Sequence, residues 1–355
     1  MTKILVLEGD GIGPEITAAT VDVLRHVDRL FALGLEFSSC DIGFAALKAS
    51  GTTFPAHVLD AARAADGVVL GPVSHNAYPP VAEGGLNPSG ELRKRLDLYA
   101  NIRPSRTRAS IPAPSRHAFD LVVVRENTEG FYADRTMYEG TGEFMPVPDL
   151  AMAMRKVTRH ASERIARSAF ELAMTRRKKV CVVHKANVLR VSDGLFLDAV
   201  RQVAKEFPDV AIEEQLVDAM AALLVRDPRP YDVIVTTNMF GDILSDEAAE
   251  LAGGLGLGAS LNAGTDHGVA QAAHGSAPSI AGQDKANPSS LIISSGMLLT
   301  WLSARLARPE FARAGAAIDQ GIDATLDNLA TRTGDLGGTL GTKAFTQALI
   351  TNIVA

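Results

Sequence analysis

The chain has 355 residues, of which 46% are hydrophobic and 21% charged, and a formal net charge of −6. That composition describes a soluble globular protein with two or three domains or one large α/β unit, and its acidic balance excludes binding to nucleic acid or membrane through bulk charge. No run reaches the roughly 18 apolar residues of a membrane span, and Met1–Glu8 is too short an apolar stretch to read as a signal peptide. Cys40 and Cys181 form no spacing motif and fit a reducing, cytoplasmic setting.

In chain order, Lys3–Leu7 reads as a strand that ends in Gly9-Asp-Gly-Ile-Gly-Pro14-Glu15 and feeds a helix over Ile16–Leu30. Pro14 suits a first helical turn. The spacing Gly9-x-Gly11-x-Gly13 is not the dinucleotide fingerprint, and no strand-end acid follows about 20 residues later, so the motif reads as a tight turn. Leu35–Ile42 reads as a strand, His57–Ala65 as a helix and Gly67–Leu70 as a strand. Residues 71–90 read as a long Gly-, Pro- and Asn-rich loop, a length that usually carries function. A helix follows at Ser89–Leu96, then strand-like runs at Tyr99–Arg103 and Asp120–Arg125. Residues 133–148 have no period and read as an excursion, with a strand expected at Ala151–Val157.

From Arg159 the order alternates: helix to Arg176, strand Lys179–His184, helix Gly194–Phe207, strand Val210–Val217, helix Ala219–Val225, strand Tyr231–Thr236. Alternation of this kind predicts a parallel sheet. A helix over Gly241–Leu251 comes next, then the glycine cluster Gly253–Gly258, a loop at 262–290, and helices near 288–306, 309–328 and 340–353. These late helices have no expected strands of their own, so they are expected to pack on the N-terminal sheet and make the first domain discontinuous.

Polar residues stand where apolar segments end. Asp242 and Asp246 are four apart and share a helix face, opposite Leu244, Ala248 and Leu251. A divalent cation would relieve their repulsion; a solvated acidic face is the alternative. Arg93 sits on a helix, and Arg103 and Arg125 stand at strand ends; three guanidiniums suit an anion with more than one carboxylate. Lys185, just after a strand, is placed for proton transfer. The Gly/Ser/Ala-rich stretch from Ala273 to Asn287 offers backbone N–H groups to a phosphate.

Together, Gly9–Glu15, Leu92-Arg93…Arg103-Pro, Arg125-Glu-Asn-Thr-Glu-Gly130, His184-Lys-Ala-Asn187, Gly241-Asp-Ile-Leu-Ser-Asp246 and His274-Gly-Ser-Ala-Pro278 resemble the β-decarboxylating dehydrogenases. These act on isocitrate, homoisocitrate, 3-isopropylmalate, tartrate or D-malate. The match runs over nearly the whole chain. The resemblance implies a two-domain, non-Rossmann α/β fold of isocitrate/isopropylmalate dehydrogenase type that forms a homodimer. The large nucleotide-binding domain would be residues 1–98 with 256–355, and the small domain, with the dimer interface, 99–255. It implies Mg²⁺ or Mn²⁺ on Asp242 and Asp246, joined by Asp218 of the other subunit. Arg93, Arg103 and Arg125 would clamp the substrate carboxylates. Tyr132 would be the general acid and Lys185, from the partner chain, the general base. The implied nucleotide residues are Ser74, Asn187, His274, Gly275, Ser276, Ala277, Ser279, Ile280 and Asn287.

Substrate choice in such enzymes rests on the stretch before Arg93. Isopropylmalate enzymes carry Glu at the position of Leu86 and leucines at Ser89 and Gly90, all absent here. Asn87 and Ser89 are each able to hydrogen-bond a third carboxylate, and Arg93–Arg103 with Gly194–Asp198 looks closest to homoisocitrate enzymes. A polar 3-substituent is expected, with 3-isopropylmalate, tartrate and D-malate as alternatives. Ser279-Ile280 provides no cation for a 2′-phosphate, which favours NAD. Gln271-Ala-Ala273 stands where the family often reads Glu-Pro-Val, which calls a nicotinamide-side carboxylate contact into question. Two other classes are a regulatory homologue that binds without turnover and a metal-free Rossmann hydroxyacid dehydrogenase.

Overall fold

The structure, a computed structural model, describes residues 1–132, 137 and 142–355. In chain order the elements are β1 (Thr2–Leu7), α1 (Gly13–Phe31), β2 (Leu35–Ser39), α2 (Gly43–Ser50), α3 (Ala56–Ala64), β3 (Gly67–Leu70) and α4 (Pro88–Arg95). Next come β4 (Ala100–Arg106), β5 (Asp120–Glu126), β6 (Glu143–Val147), β7 (Leu150–Ala153), α5 (Arg159–Met174), β8 (Lys179–His184), α6 (Ser192–Ala204), β9 (Ala211–Leu216), α7 (Val217–Arg226), β10 (Val233–Thr236) and α8 (Asn238–Ala252). The chain ends with β11 (Ala259–Ala263), β12 (Gly268–Ala272), α9 (Ser289–Leu306), α10 (Pro309–Leu326) and α11 (Thr342–Asn352). Residues 133–136 and 138–141 of the expected excursion lie outside the described residues. From 143 the segment is an antiparallel pair, β6 with β7.

The chain forms two compact units. The first comprises Met1–Leu96, Arg108–Pro112 and Gly254–Ala355; the second comprises Asp97–Thr107 and Ala113–Gly253. In the first unit the strand order is β2-β1-β3-β12-β11, parallel except between β11 and β12. Two expectations are corrected here. Residues 262–290 are not all loop, because β11 and β12 occupy 259–263 and 268–272. The late helices therefore do have strands beside them. Leu261, Ala263, Ala270 and Ala272 share one buried cluster with Leu291, Ile292, Leu298 and Leu299 of α9 and with Ile4, Val6 and Ile16 near the N-terminus.

In the second unit the order is β4-β5-β10-β8-β9, parallel except between β4 and β5. Its inner strands are buried on both faces, so they read as continuous apolar runs. Val122 and Val124, Val180 and Val182, Val233 and Val235 pack with α5 and α6. Leu121 and Val123, Cys181 and Val183, and Ile234 pack instead with Met220 and Leu224 of α7 and Leu244 and Ala248 of α8. Side chains alternate faces along a strand. Arg125, two residues past Val123, therefore projects toward α8, and Lys185, two past Val183, projects toward the α7–α8 face. Arg103 is paired with Val123 and Asn101 with Arg125 across the β4–β5 ladder, so both share that face. The period of the strands delivers the polar residues to one place. No helix among the described residues is long and apolar enough to cross a membrane.

Candidate active site

Asp242 and Asp246 lie one turn apart on α8, with Leu244 and Ala248 buried on the opposite face. Arg103 reaches both: its Nη1 is 2.9 Å from Asp246 Oδ1 and 3.3 Å from Asp242 Oδ1. The same nitrogen donates to Ser245 Oγ at 2.8 Å, while Nε donates to Asn101 Oδ1 at 2.7 Å. Arg125 is 2% exposed. Its Nη1 pairs with Asp242, and its Nε and Nη2 both donate to Asn238 Oδ1, at 3.0 and 2.6 Å. Tyr132 OH donates to Asp242 Oδ2 at 3.4 Å, and the Arg125 guanidinium lies 5.8 Å from the Tyr132 ring centroid. Gly241 makes this possible: a Cβ there would stand 2.6 Å from both Cβ and Cγ of Arg125. Burial raises the Asp246 carboxyl above its ordinary range; Arg103 opposes that shift and Asp242 adds to it. The donor set, two carboxylates one turn apart and open to solvent on one side, is that of a hard divalent cation, and the neighbouring guanidiniums and phenol suit a carboxylate anion and a proton.

Lys185 and Asp218 form a separate pair. Lys185 Nζ donates to Asp218 Oδ1, and that bond holds the Asp218 carboxyl below its ordinary range. Asp218 lies in the first turn of α7, directly after β9. Lys185 is fixed by its backbone, since its N–H donates to buried Asp193, and Asp193 is paired with Arg155. Asn187 is exposed on the turn between β8 and α6 and belongs to the second unit, whereas the other residues expected at the nucleotide belong to the first. Among the described residues, no group of three carboxylate, histidine or cysteine side chains converges as a cation site within the one chain. Asp242 and Asp246 are together; Asp218 is not with them.

In the first unit, Asn87 caps α4, its Oδ1 accepting from Gly90 N at 3.2 Å. Ser89 Oγ donates to Gln271 Oε1 at 3.0 Å, and Arg93 Nη2 donates to the same oxygen at 3.4 Å. The Asn87 amide oxygen is thus committed to the helix cap, and the Ser89 hydroxyl proton to Gln271.

Ile12, His274, Gly275, Ala277, Ile280, Asn287 and Asp335 line a cleft of about 280 Å³. Ser276, buried beside it, shares a 2.7 Å hydrogen bond between its Oγ and that of Ser74. Ser279 is exposed on the short turn Pro278–Ile280. Ala277 holds φ at 36°, a left-handed conformation uncommon outside glycine. Asn287 Nδ2 donates to Asp335 Oδ2 at 2.9 Å, and Asn287 Oδ1 accepts from Ser289 N at 3.0 Å. Burial holds His274 below its ordinary pKa, so its ring is neutral near pH 7. Apolar walls with Asn287, Asp335 and a neutral imidazole suit an adenosine.

The Gly9–Glu15 turn braces this cleft. Ile12 N donates to Ser276 O at 2.8 Å, and Glu15 accepts from Gly282 N. Gly11, at φ 58°, lies so close that a Cβ would stand 2.0 Å from Ser276 O. Asp10, buried, accepts from Phe44 N and Ser74 N at 2.9 Å each, and from Tyr78 OH. Sequence reasoning does not single out Asp10, Asn238 or Asp335. The first two carried a signal: a polar residue inside a glycine turn, and one at the end of an apolar strand. Asp335 had none.

The pattern of the isocitrate/isopropylmalate dehydrogenase family matches residues 3–353. The chain is 41% identical over 351 residues to an isocitrate/homoisocitrate dehydrogenase of Thermus thermophilus, covering 98% of this chain and 97% of that one. It is 39% identical over 346 residues to a 3-isopropylmalate dehydrogenase of Archaeoglobus fulgidus, covering 97% of each. The crystal structure of isocitrate dehydrogenase from Methylococcus capsulatus superposes with a TM-score of 0.88 at 38% identity, covering 100% of both chains. The chain belongs to the isocitrate/isopropylmalate dehydrogenase family. It is an oxidoreductase of the decarboxylating type and has the α/β fold of an isocitrate dehydrogenase, with a large, mostly parallel sheet.

Proposed function

We propose that the protein oxidatively decarboxylates a 2-hydroxy acid bearing a 3-carboxylate, using NAD and a divalent metal ion, with an isocitrate- or homoisocitrate-like substrate. The observation that carries this reading is the Asp242–Asp246 pair, held one turn apart and contacted by Arg103 and Arg125. Arg93, Arg103 and Arg125 bind the substrate carboxylates. Asp242, Asp246 and the partner's Asp218 would hold Mg²⁺ or Mn²⁺, which when bound would supply Lewis-acid polarisation at the C2 oxygen, and bound NAD⁺ would be the hydride acceptor. Lys185 receives the C2 hydroxyl proton. Once C2 is a ketone, the β-carboxylate is lost as CO₂, and Tyr132 delivers a proton to C3.

A homodimer with shared sites follows from the same reading. Asp246 touches Arg103 on β4, whereas Asp218 follows β9, four strand spacings away in the sheet order. Within one chain Asp218 does not converge with Asp242 and Asp246 among the described residues, so one ion held at about 2–2.5 Å by each ligand does not reach all three. A second copy supplies the missing carboxylate and the lysine. The exposed apolar side chains of β6–β7 (Phe144, Met145, Val147, Leu150, Met152) support the dimer, because an isolated two-stranded ribbon is marginal in water.

Ser74, His274, Gly275, Ser276, Ala277, Ser279, Ile280 and Asn287 hold the nucleotide, with Asn187 completing the set. NAD is favoured over NADP because Ser279 and Ile280 bring no cation and the Asp335 carboxylate offsets the Lys285 ammonium that also lines the cleft. The residue set 1–98 with 256–355 serves as the nucleotide domain and 99–255 as the small domain, in a non-Rossmann arrangement and a cytoplasmic setting. The test is NADH formation with Mg²⁺ or Mn²⁺ across isocitrate, homoisocitrate, 3-isopropylmalate, D-malate and tartrate. Turnover is expected with one of the first two. Turnover only with 3-isopropylmalate, D-malate or tartrate would move the substrate assignment, and no turnover with any would leave a binding homologue.

A further inference from the structure

Arg155, on the short link between β7 and α5, joins the supports of three site residues. Its Nη1 pairs with Asp193 Oδ1 in the first turn of α6; the two side chains are 9% and 0% exposed. The second oxygen of that carboxylate, Oδ2, accepts the backbone N–H of Lys185 at 2.5 Å. Arg155 Nη1 also donates to Ser192 Oγ at 2.9 Å, and Nη2 donates at 3.0 Å to Oγ1 of Thr237, the residue before α8. The guanidinium lies 5.4 Å from the ring centroid of Phe240 in α8 and 6.0 Å from that of Phe131, the neighbour of Tyr132.

We propose that Arg155 is a positioning residue for proton transfer: by holding Asp193 in place it fixes the backbone from which the Lys185 side chain reaches the reacting hydroxyl. The inference rests on the functional reading above, in which Lys185 receives the C2 hydroxyl proton. A carboxylate out of water is costly unless paired and hydrogen-bonded, and removing one partner of a buried pair leaves the other uncompensated. Without Arg155, Asp193 would turn toward water, and Lys185 N would lose its charged acceptor. The turn after β8 would then rest on Lys185 O, which accepts from Val188 N and Leu189 N at 3.0 and 2.8 Å, with no anchor on the amide side. A displacement of about 1 Å at a reacting group costs about a hundredfold in rate. The contacts with Thr237 and Phe240 offer a rival route, through α8 and Asp242, which the experiment separates from this one.

The experiment compares the wild-type enzyme with Arg155→Met and Arg155→Lys by steady-state kinetics, amide hydrogen exchange and subunit mixing. In Arg155→Met, kcat and kcat/KM fall together about a hundredfold while KM stays within about twofold, as for an interaction made only in the transition state. Exchange across residues 185–193 quickens about tenfold, for loss of a hydrogen bond to a charged group. Arg155→Lys keeps the cation beside Asp193 but gives up the fork that also reaches Thr237; it recovers most of kcat, and it carries the test if the methionine variant does not fold. Mixed with Asp242→Asn, Arg155→Met recovers to about a quarter of wild-type activity, because each hybrid has one site with an intact α8 and an intact Lys185; mixed with Lys185→Met it recovers nothing. Recovery with Lys185→Met, or with neither, overturns the proposal, as does unchanged exchange across 185–193 in folded Arg155→Met or loss of kcat in Arg155→Lys. Absence of wild-type turnover, or failure of Lys185→Met and Asp242→Asn to complement each other, overturns the functional reading instead, and the exchange measurement then decides whether Arg155 fixes Lys185.

Discussion

Arg103 Nη1 lies 2.9 Å from Asp246 Oδ1, in the position where a cation would meet the carboxylate pair of α8. It is also 3.3 Å from Asp242 Oδ1. The guanidinium thus offsets charge on both acids, and in the proposed reading a metal ion would compete with it for them. Arg103→Met removes that competitor. Mn²⁺ binding without substrate is expected to tighten several-fold, while KM for the hydroxy acid rises at least tenfold through loss of a carboxylate partner. Direct Mn²⁺ titration checks the first half and kinetics the second. Weaker Mn²⁺ binding in Arg103→Met would mean that Arg103 holds the aspartates in place rather than competing for them.

Gly241 gives Arg125 its room. Gly241→Ala sets a Cβ 2.6 Å from Arg125 Cβ and Cγ, at a side chain pinned by Asn238 and Asp242. The clash is expected to cost about 1–3 kcal/mol of stability, the range for overpacking, and to lower kcat/KM by moving the guanidinium. Thermal unfolding and kinetics on the same preparation read both. A variant with wild-type stability and wild-type kinetics would show that the helix yields at no cost.

The nucleotide cleft carries a pH dependence whose sign is set by burial. His274 has its pKa lowered, as do His184 and His267. Below the ordinary value of 6.5, the unfolded chain takes up protons that the folded imidazoles resist. Their contribution to stability is therefore present above 6.5 and is lost as pH falls through the lower, folded values. The unfolding midpoint is expected to drop between about pH 7 and about pH 5, and His274→Asn to flatten part of that drop. An equally steep drop in His274→Asn would remove His274 from the account.

A site shared between two copies, as proposed, predicts complementation. Lys185→Met and Asp242→Asn homodimers should each be nearly inactive. Mixed through reversible dissociation, half the dimers are hybrids in which one site carries both defects and the other carries none. Recovery to about a quarter of wild-type activity is expected. Mixing without any recovery, after subunit exchange has been verified, would place Lys185 and Asp242 in the same chain's site.

The parts of the fold legible in sequence are those where one local pattern decides. Lys179–His184 is a strand because Val180, Cys181, Val182 and Val183 are buried on both faces, and a run of that kind has no other length-compatible reading. β11 and β12 are not legible. Ala-Ser-Leu-Asn-Ala and Gly-Val-Ala-Gln-Ala contain small and polar residues, and only pairing with β3 and packing under α9 makes them strands. The same holds for the site. Asp242 and Asp246 announce themselves by spacing. The partners of Arg125 and Gln271 do not, because Asn238 is 113 residues from Arg125 and Ser89 is 182 from Gln271. The strand alternation that aims Arg103 and Arg125 at α8 emerges only once the β4–β5 register is known.

The central claim is that a divalent ion and NAD⁺ act together to oxidise and decarboxylate a hydroxy acid. The most direct measurement is the stoichiometry of NADH and CO₂ released from isocitrate or homoisocitrate with Mn²⁺, before and after addition of a chelator and again after excess Mn²⁺. Equal amounts of the two products, abolished by the chelator and restored by the metal, are predicted. NADH formation that persists in the chelator, or that proceeds without CO₂, would contradict the account.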